Sequence, residues 1–435
     1  MSAATIGIIG IIIFLALIFL GMNIGLALLL VGFAGYAAVI NPAAAIGLIR
    51  KVPATQASTY TFIVIPLFIM MGNFAFQAGL SGALYKAGDR WLSRLPGNHA
   101  CGTIAACAGF GAICGSCAAT CATIGTIALP EMRRYKYADR ISTGSIAMGG
   151  TLGILIPPST PMIIYCIMAE TSIGKMFAAG ILPGVMMAAL SIITIVILVK
   201  LNPDMAPPPT KCSWKERFVS LKGLIGVIVL FSIVLGGMFS GFFSVNQSAA
   251  VGAFLAIILT AINKSLTWKN FTSALRDTIT TFSMTFLILI GASVFSNFLA
   301  ITKIPMMLAG MLQSMDASFS VVLLLMTIVY IILGMLMDEL PMILLTVPIF
   351  LPIVAGYGID FIWFGIYIIL VMELGAIAPP VGMNCFIIQG ISKDISLATV
   401  YKGALPFTAT ILAGIVLIYI FPQIVMVLPN LIGGN

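Results

Sequence analysis

Long apolar runs, separated by short polar or basic segments, follow one another along most of the 435-residue chain. A helix needs about 20 mostly apolar residues to cross a hydrocarbon core of about 30 Å. Residues 142–170 and 362–392 are longer than one crossing requires, and each contains a proline-rich break. The pattern predicts an all-α integral membrane protein with ten spans, near 5–22, 24–40, 58–78, 142–170, 176–200, 223–240, 246–263, 279–299, 362–392 and 404–428.

Two further apolar stretches, 98–130 and 320–352, are too short for two full crossings and too long for one. Each is interrupted near its middle, the first by Gly115-Ser116 and the second by Asp338-Glu339. Backbone that is not helical is tolerated at membrane depth only where it is buried in protein or lines a cavity. We therefore predict two re-entrant helical hairpins.

The chain repeats one pattern at an offset of 222 residues. Gly153 and Gly375 keep this offset, as do the pairs Pro157-Pro158 and Pro379-Pro380. Each copy has five predicted spans, one of them broken, and one hairpin. Because five is an odd number of crossings, the two copies must have inverted topology. Inverted repeats with broken helices are typical of secondary transporters, whose substrate site lies near the middle of the membrane.

Composition and charge agree with a membrane protein. Apolar residues make up 61% of the chain and charged residues only 8%, whereas soluble domains have about 25% charged residues. If the linker 201–222 is cytoplasmic, most of the 21 basic residues lie on the cytoplasmic side, as the positive-inside rule requires. This topology predicts both termini in the periplasm. Because the aromatic residues lie in apolar spans and not among the basic ones, no nucleic-acid partner is expected.

A short amphipathic stretch precedes each hairpin, at 80–95 and at 303–315. The first has basic residues at 86, 90 and 94 on one helical face, with Trp91 near the other. This spacing favours a helix lying in the membrane interface. An ordinary loop helix is the alternative.

The two broken spans carry the residues best suited to bind ions. In 151–163 and 373–385, a glycine precedes a Pro-Pro pair that removes backbone donors and disfavours helix. Unwinding frees carbonyl oxygens to coordinate a cation such as Na⁺ and points half-helix N-termini at the site, where a carboxylate can be held. Ser116 and Thr120 can add hydroxyl groups from the first hairpin tip.

Asp338 is the most informative single residue of the second hairpin. A carboxylate within an apolar segment costs roughly 2.5–3.5 kcal/mol unless it is paired. A bound Na⁺ or a proton would offset that cost, or Asp338 could simply cap the second helical arm. Glu373, just before the second break, is either a ligand or a structural anchor.

The sequence gives little support to a metal centre or an enzyme. Cys114 and Cys117 have the spacing of half a zinc site, but there is no second such pair and only one histidine. Small residues at close helix contacts explain this cysteine-rich stretch better. With no nucleophile elbow and no acid-rich motif, a catalytic function is not expected.

Four sequence blocks resemble the large membrane subunit of TRAP (tripartite ATP-independent periplasmic) transporters, in the ion transporter superfamily. The blocks of the first repeat are GSCAATCATIGTIALPEMRRYKY and GTLGILIPPSTPMIIY. Those of the second are GMLMDELPMILLTVPIFLP and ELGAIAPPVGMNCFII. The blocks occur in order, and the resemblance covers essentially the full length.

The resemblance implies a sodium-coupled importer of organic acids, such as sialic acid or C4-dicarboxylates, in the bacterial inner membrane. It further implies a small four-helix membrane subunit as partner and a periplasmic binding protein that delivers the carboxylate substrate. An elevator mechanism would move the transport parts, 98–200 and 318–435, against the scaffold parts, 1–97 and 223–317. The segment 201–222 would be the cytoplasmic linker.

The resemblance also implies roles for individual residues. The implied substrate contacts are Ser116, Ser159, Asp338 and Asn384. One Na⁺ site would join the first hairpin tip to carbonyls of the first break, and a second would join Asp338 to carbonyls of the second break. The implied Na⁺ ligands are Gly115, Ser116, Thr120, Gly153, Pro157, Asp338, Gly375 and Pro379.

Two other functions stay open from the sequence. A stand-alone sodium–dicarboxylate symporter of the same superfamily would transport without a binding protein. A membrane scaffold that transports nothing would be independent of ions. The sequence names neither the substrate nor the number of Na⁺ ions per cycle.

Overall fold

The structure is a computed structural model that describes residues 2–209, 212–314, 318–335 and 337–432. Within these ranges every regular element is a helix. The helices before the linker are α1 Ala3–Phe19, α2 Ile24–Val39, α3 Pro42–Ser58, α4 Val64–Gln77, α5 Leu80–Trp91, α6 Asn98–Cys114, α7 Cys117–Arg134, α8 Asp139–Leu155, α9 Thr160–Met168 and α10 Ile173–Leu201. Those that follow are α11 Trp214–Leu221, α12 Ile225–Phe239, α13 Val245–Ile262, α14 Trp268–Thr302, α15 Ile304–Ser314, α16 Phe319–Gly334, α17 Glu339–Gly356, α18 Phe361–Ile377, α19 Met383–Ile391, α20 Leu397–Ile420 and α21 Gln423–Ile432.

The helices establish a multi-pass membrane protein. Among the described residues, seven helices are long and apolar enough to cross a membrane, and α8 with α9, bent by 41°, would make eight. Shorter apolar helices include α1, α2 and α18. The figure of ten crossings and the inverted topology stay predictions. Met315, at the end of the second amphipathic stretch, and Leu336, in the second hairpin, lie outside the described residues.

Both predicted hairpins consist of two helices separated by a short break. The first break is Gly115-Ser116, where Gly115 has a φ of 62°, a conformation that favours glycine. The Ser116 hydroxyl then caps α7 by accepting a hydrogen bond from the Ala119 amide at 3.5 Å. Asp338 is the N-cap residue of α17, and its carboxylate accepts from the next amide, that of Glu339, at 2.9 Å. Local chemistry thus ends and restarts the helix at the first predicted tip and restarts it at the second, whereas entry and exit on one membrane side stay a prediction.

Helix boundaries in the two halves keep the offset found in the sequence. Both ends of α7 and α17 differ by 222 residues, and so do both ends of α8 and α18. The proline pairs separate α8 from α9 and α18 from α19, and each pair contains a cis peptide bond. Equivalent proline pairs therefore interrupt the corresponding helices of the two halves.

Some elements differ from the sequence prediction. A helix able to cross the membrane is present near the predicted span 404–428, but its bounds differ, because α20 begins at Leu397 and ends at Ile420 and α21 begins at Gln423. Pro422 lies between them and lacks the amide hydrogen that a continuous helix would use. Helix α3 was not predicted, because its Arg50, Lys51 and Gln56 interrupt the apolar pattern.

Helix α8 lies at the centre of the molecule, buried along almost its whole length. It packs against α6, α7 and α20. At the α20 contact, a Cβ atom on Gly144 or Gly403 would overlap backbone atoms of the other helix. The N-terminal and C-terminal halves of the chain also pack against each other, since α7 contacts α19 and α17 contacts α9. This packing fixes the hairpin tips relative to the broken helices.

Candidate functional site

A cavity of about 480 Å³ lies between the two hairpin tips. Gly115, Ser116 and Asp338 line it, so the structure brings three predicted site residues together. Helices α4, α9 and α14 form the remaining walls. The other lining residues are Ile69, Gly72, Asn73, Phe76, Phe110, Cys114, Ala118, Ala119, Thr123, Thr160, Pro161, Asp277, Thr281, Thr285, Glu339 and Leu340.

The first hairpin tip packs directly against the first break. The Thr160 amide donates to the Gly115 carbonyl at 3.4 Å. A Cβ atom added to Gly115 would lie 2.7 Å from the Pro158 carbonyl oxygen. A Cβ atom added to Gly153 would lie 2.5 Å from the Ser116 carbonyl oxygen and 2.6 Å from the Thr120 hydroxyl oxygen. The first hairpin tip and the first break are therefore in close contact through oxygen-bearing groups, and the Na⁺ site between them stays a prediction.

The second break has a different environment. Gly375 packs on Gly334, where an added Cβ atom would lie 2.8 Å from the Gly334 Cα. Pro379 is exposed and is not among the residues that line the cavity. The Tyr401 hydroxyl donates to the carbonyl oxygens of Pro380, at 2.5 Å, and Val381, at 2.7 Å. Asp338 thus shares a cavity with the first hairpin tip, and its pairing with Gly375 and Pro379 stays a prediction.

Two predicted substrate contacts are fully buried and do not line the cavity. The Ser159 hydroxyl accepts a hydrogen bond from the Met162 amide at 3.4 Å and caps α9. The Asn384 side chain donates to the Ala147 carbonyl at 2.9 Å, which ties α19 to α8. Both residues support the packing around the site, and their contact with substrate stays a prediction.

The cavity has an unbalanced charge. Three of its lining residues, Asp277, Asp338 and Glu339, carry carboxylates. Among the described residues that line it, none is Lys, Arg or His. Carboxylates grouped in a cleft attract cations and repel anions. Where these carboxyl groups are ionised, an anion enters this cavity favourably only with a cation or a proton.

Sequence reasoning missed several cavity residues. Asp277 and Thr281 are on α14, which begins eleven residues before the predicted span 279–299. Asn73 and Phe76 come from α4, which belongs to the predicted scaffold part. Only the packing of distant helices brings them to the hairpin tips, so no local signal could have found them.

Comparison with known proteins identifies the family. Residues 11–424 match the model of the DctM component of tripartite ATP-independent periplasmic transporters. The chain belongs to this TRAP transporter family. It is 30% identical over 421 residues to the sialic acid TRAP transporter large permease protein SiaM of Vibrio cholerae, with 97% of each chain covered. It is 32% identical over 375 residues to the C4-dicarboxylate TRAP transporter large permease protein DctM of Pseudomonas aeruginosa, covering 86% and 87% of the two chains.

A solved structure supports the fold of this TRAP permease. The YdaH transporter of Alcanivorax borkumensis superposes with a TM-score of 0.60, covering 90% of this chain and 89% of that one. At 13% identity, this likeness concerns the fold alone. Together with the apolar helices, the family establishes a multi-pass protein of the bacterial inner membrane. Its members are transporter permeases, which agrees with the expectation that the chain is not an enzyme.

Cys114 gives a direct test that this cavity is used in transport. All eight cysteines are free, and Cys114 alone among them lines the cavity. We expect N-ethylmaleimide to attach to Cys114 and lower uptake about 10-fold or more, because the adduct fills a cavity of ligand size. Uptake assays on Cys114→Ser should show resistance, whereas Cys166→Ser should stay sensitive. Inhibition that persists in Cys114→Ser would contradict the location of the site.

Proposed function

We propose that this TRAP permease carries out sodium-coupled secondary active import of an organic acid across the bacterial inner membrane. The charge of the cavity between the hairpin tips supports this function most directly. A carboxylate substrate in this cavity would face Asp277, Asp338 and Glu339, without a basic residue among the described lining residues. Sodium ions bound at the same place would remove that repulsion.

The magnitude of the repulsion explains why transport would require the ion. Two like charges 4 Å apart repel by about 4 kcal/mol at an effective dielectric constant of about 20. Na⁺ bound between the first hairpin tip and the first break, with a second ion at Asp338, would offset this energy. Substrate and Na⁺ would then raise each other's affinity, as linkage requires. Coupling between Na⁺ and substrate transport would follow, because the positive ions and the negative substrate balance each other's charge in one cavity.

The family suggests how this permease works with other proteins. TRAP transporters are tripartite, so we propose a small membrane subunit and a periplasmic binding protein as partners. Relatives named for sialic acid and for C4-dicarboxylates make these the first substrates to examine. In an elevator mechanism, segments 98–200 and 318–435 would move against 1–97 and 223–317, with inverted repeats and both termini in the periplasm.

Reconstitution tests the function and its alternatives. The permease with its small subunit would be placed in liposomes, and uptake of labelled sialic acid and succinate measured with the cognate binding protein. We expect uptake with an inward NaCl gradient and none with choline chloride. Uptake without the binding protein would identify a stand-alone symporter. Sodium-independent uptake, or none of any candidate organic acid, would contradict the proposal.

A further inference from the structure

A second cavity, of about 420 Å³, lies between α5 and α11, away from the transport cavity. One wall is α5, which precedes the first hairpin, and the other is α11, at the end of the linker. Both elements belong to the side that the basic residues predict to be cytoplasmic. The lining residues are Ala83, Lys86, Arg90, Lys215, Glu216, Val219, Ser220 and Gly223.

This second cavity is basic. Lys86, Arg90 and Lys215 line it, with Glu216 as the single acid among the described lining residues. The Glu216 carboxylate already accepts from the Ser213 amide at 2.9 Å and from the Cys212 thiol at 3.2 Å. None of the ion pairs found among the described residues involves the three basic side chains. Arg90 lies near the Cys212 thiol and the Glu216 carboxylate, but none of these ion pairs holds any of the three, so an anionic ligand can bind them.

Exposed aromatic residues surround the basic cavity. Trp91, Trp214 and Phe218 are exposed, and the Trp91 and Phe218 rings meet edge to face at 6.1 Å. Buried Arg217 lies 4.9 Å from the Trp214 ring centre and donates to the Ser93 hydroxyl at 3.3 Å. Trp residues concentrate where a membrane meets water. These aromatic side chains beside basic groups are typical of a surface at the depth of the lipid headgroups.

The length of the helical stretch that contains α11 and α12 also places α11 at the depth of the lipid headgroups. Residues Trp214–Phe239 form one helical stretch of 26 residues, which spans about 39 Å at about 1.5 Å per residue. The hydrocarbon core is only about 30 Å thick, so part of this helix lies outside it, and the charged Lys215, Glu216 and Arg217 place that part at its beginning, in the headgroup layer. Just beyond the cavity, Ile225, Ile228 and Val229 are exposed along α12. They offer an apolar path that begins at the basic groups and runs into the membrane.

We propose that the cavity between α5 and α11 binds the phosphate headgroup of an anionic phospholipid from the cytoplasmic leaflet. Lys86, Arg90 and Lys215 contact the phosphate, and the acyl chains lie along α12. Charge complementarity identifies the headgroup, and the exposed apolar path distinguishes a lipid from a free ion. Because α5 leads into the first hairpin, the lipid holds the start of that hairpin against the linker.

Thermal unfolding of the full-length, delipidated protein in detergent tests the site. Phosphatidylglycerol should raise the midpoint, whereas phosphatidylcholine should raise it less and inorganic phosphate at the same concentration should not. Each basic residue near an anionic lipid contributes about fivefold in affinity, so K86Q/R90Q/K215Q should need about 100-fold more phosphatidylglycerol for half of the shift. The control K264Q/K269Q/K393Q changes three basic residues elsewhere and should respond as wild type.

Several outcomes would overturn the lipid site. These are equal responses to the two lipids, no response to phosphatidylglycerol, or an unchanged response in the triple variant. A midpoint that rises as much with phosphate alone would identify a free-anion site instead. If the triple variant does not fold, K215Q alone should lower the affinity for phosphatidylglycerol about fivefold. Binding of phosphatidylglycerol to the wild type should also weaken as NaCl screens the headgroup charge. Salt-independent binding would contradict the proposal.

Discussion

Asp338→Asn is expected to abolish sodium-driven uptake while the protein still folds. Asp338 lines the cavity between the hairpin tips, and its carboxylate accepts a hydrogen bond from the Glu339 amide at 2.9 Å. Asn caps a helix about as well as Asp, so α17 should still begin at Glu339. Only the negative charge is lost. Because that charge is proposed to hold a cation, Na⁺ affinity should fall about 100-fold.

Thermal midpoints in NaCl and in choline chloride at equal ionic strength measure this effect without a substrate. An ion that binds only the folded protein stabilises it by about 2.7 kcal/mol at one hundred times its Kd. Wild type should be more stable in NaCl, and Asp338→Asn should show no difference between the salts. Asp360→Asn is the matched control, since Asp360 caps α18 through the Ile362 amide at 2.7 Å and lies outside the cavity.

Two results would contradict the role of Asp338. One is a sodium-dependent midpoint in Asp338→Asn equal to that of wild type. The other is normal uptake by the variant with unchanged sodium dependence. Loss of the sodium effect in Asp360→Asn as well would show that helix capping, and not charge in the cavity, is responsible.

Features set by local backbone chemistry could be predicted from the sequence. Gly115 and Ser116 end one helix and cap the next through their own conformations and hydrogen bonds. The pairs Pro157-Pro158 and Pro379-Pro380 lack the amide hydrogens that a continuous helix needs. These effects do not depend on distant residues, so the breaks occur where the sequence predicts them.

Features that depend on packing between distant segments could not be predicted. Asp277 is 61 residues before Asp338 in the chain, yet both line one cavity. Asn384 has the polarity of a substrate ligand, but its amide donates to Ala147 on α8. The sequence indicates which residues have the polarity of ion ligands, and the packing of α4, α14 and the two hairpins decides which of them share a cavity.

Gly153→Ala should abolish uptake, although Ala is the better helix former. Gly153 is in the last turns of α8, just before the first break. A new Cβ atom would lie 2.5 Å from the Ser116 carbonyl oxygen and 2.6 Å from the Thr120 hydroxyl oxygen. Because Ser116 belongs to the hairpin tip, the clash must push the tip away from the broken helix. The close contact of the tip with the first break, where the first Na⁺ site is proposed, would then be lost.

Gly174→Ala distinguishes this clash from a general effect of the substitution. Gly174 is also helical, in α10, and its added Cβ atom would meet only the Ser172 hydroxyl at 3.8 Å. Ala in this first turn of α10 meets no clash and gains less than the roughly 1 kcal/mol of a helix interior, so this variant should transport normally. Uptake and the sodium-dependent midpoint should both be lost in Gly153→Ala. If Gly153→Ala kept both, close contact between the first hairpin tip and the broken helix would not be required for ion binding.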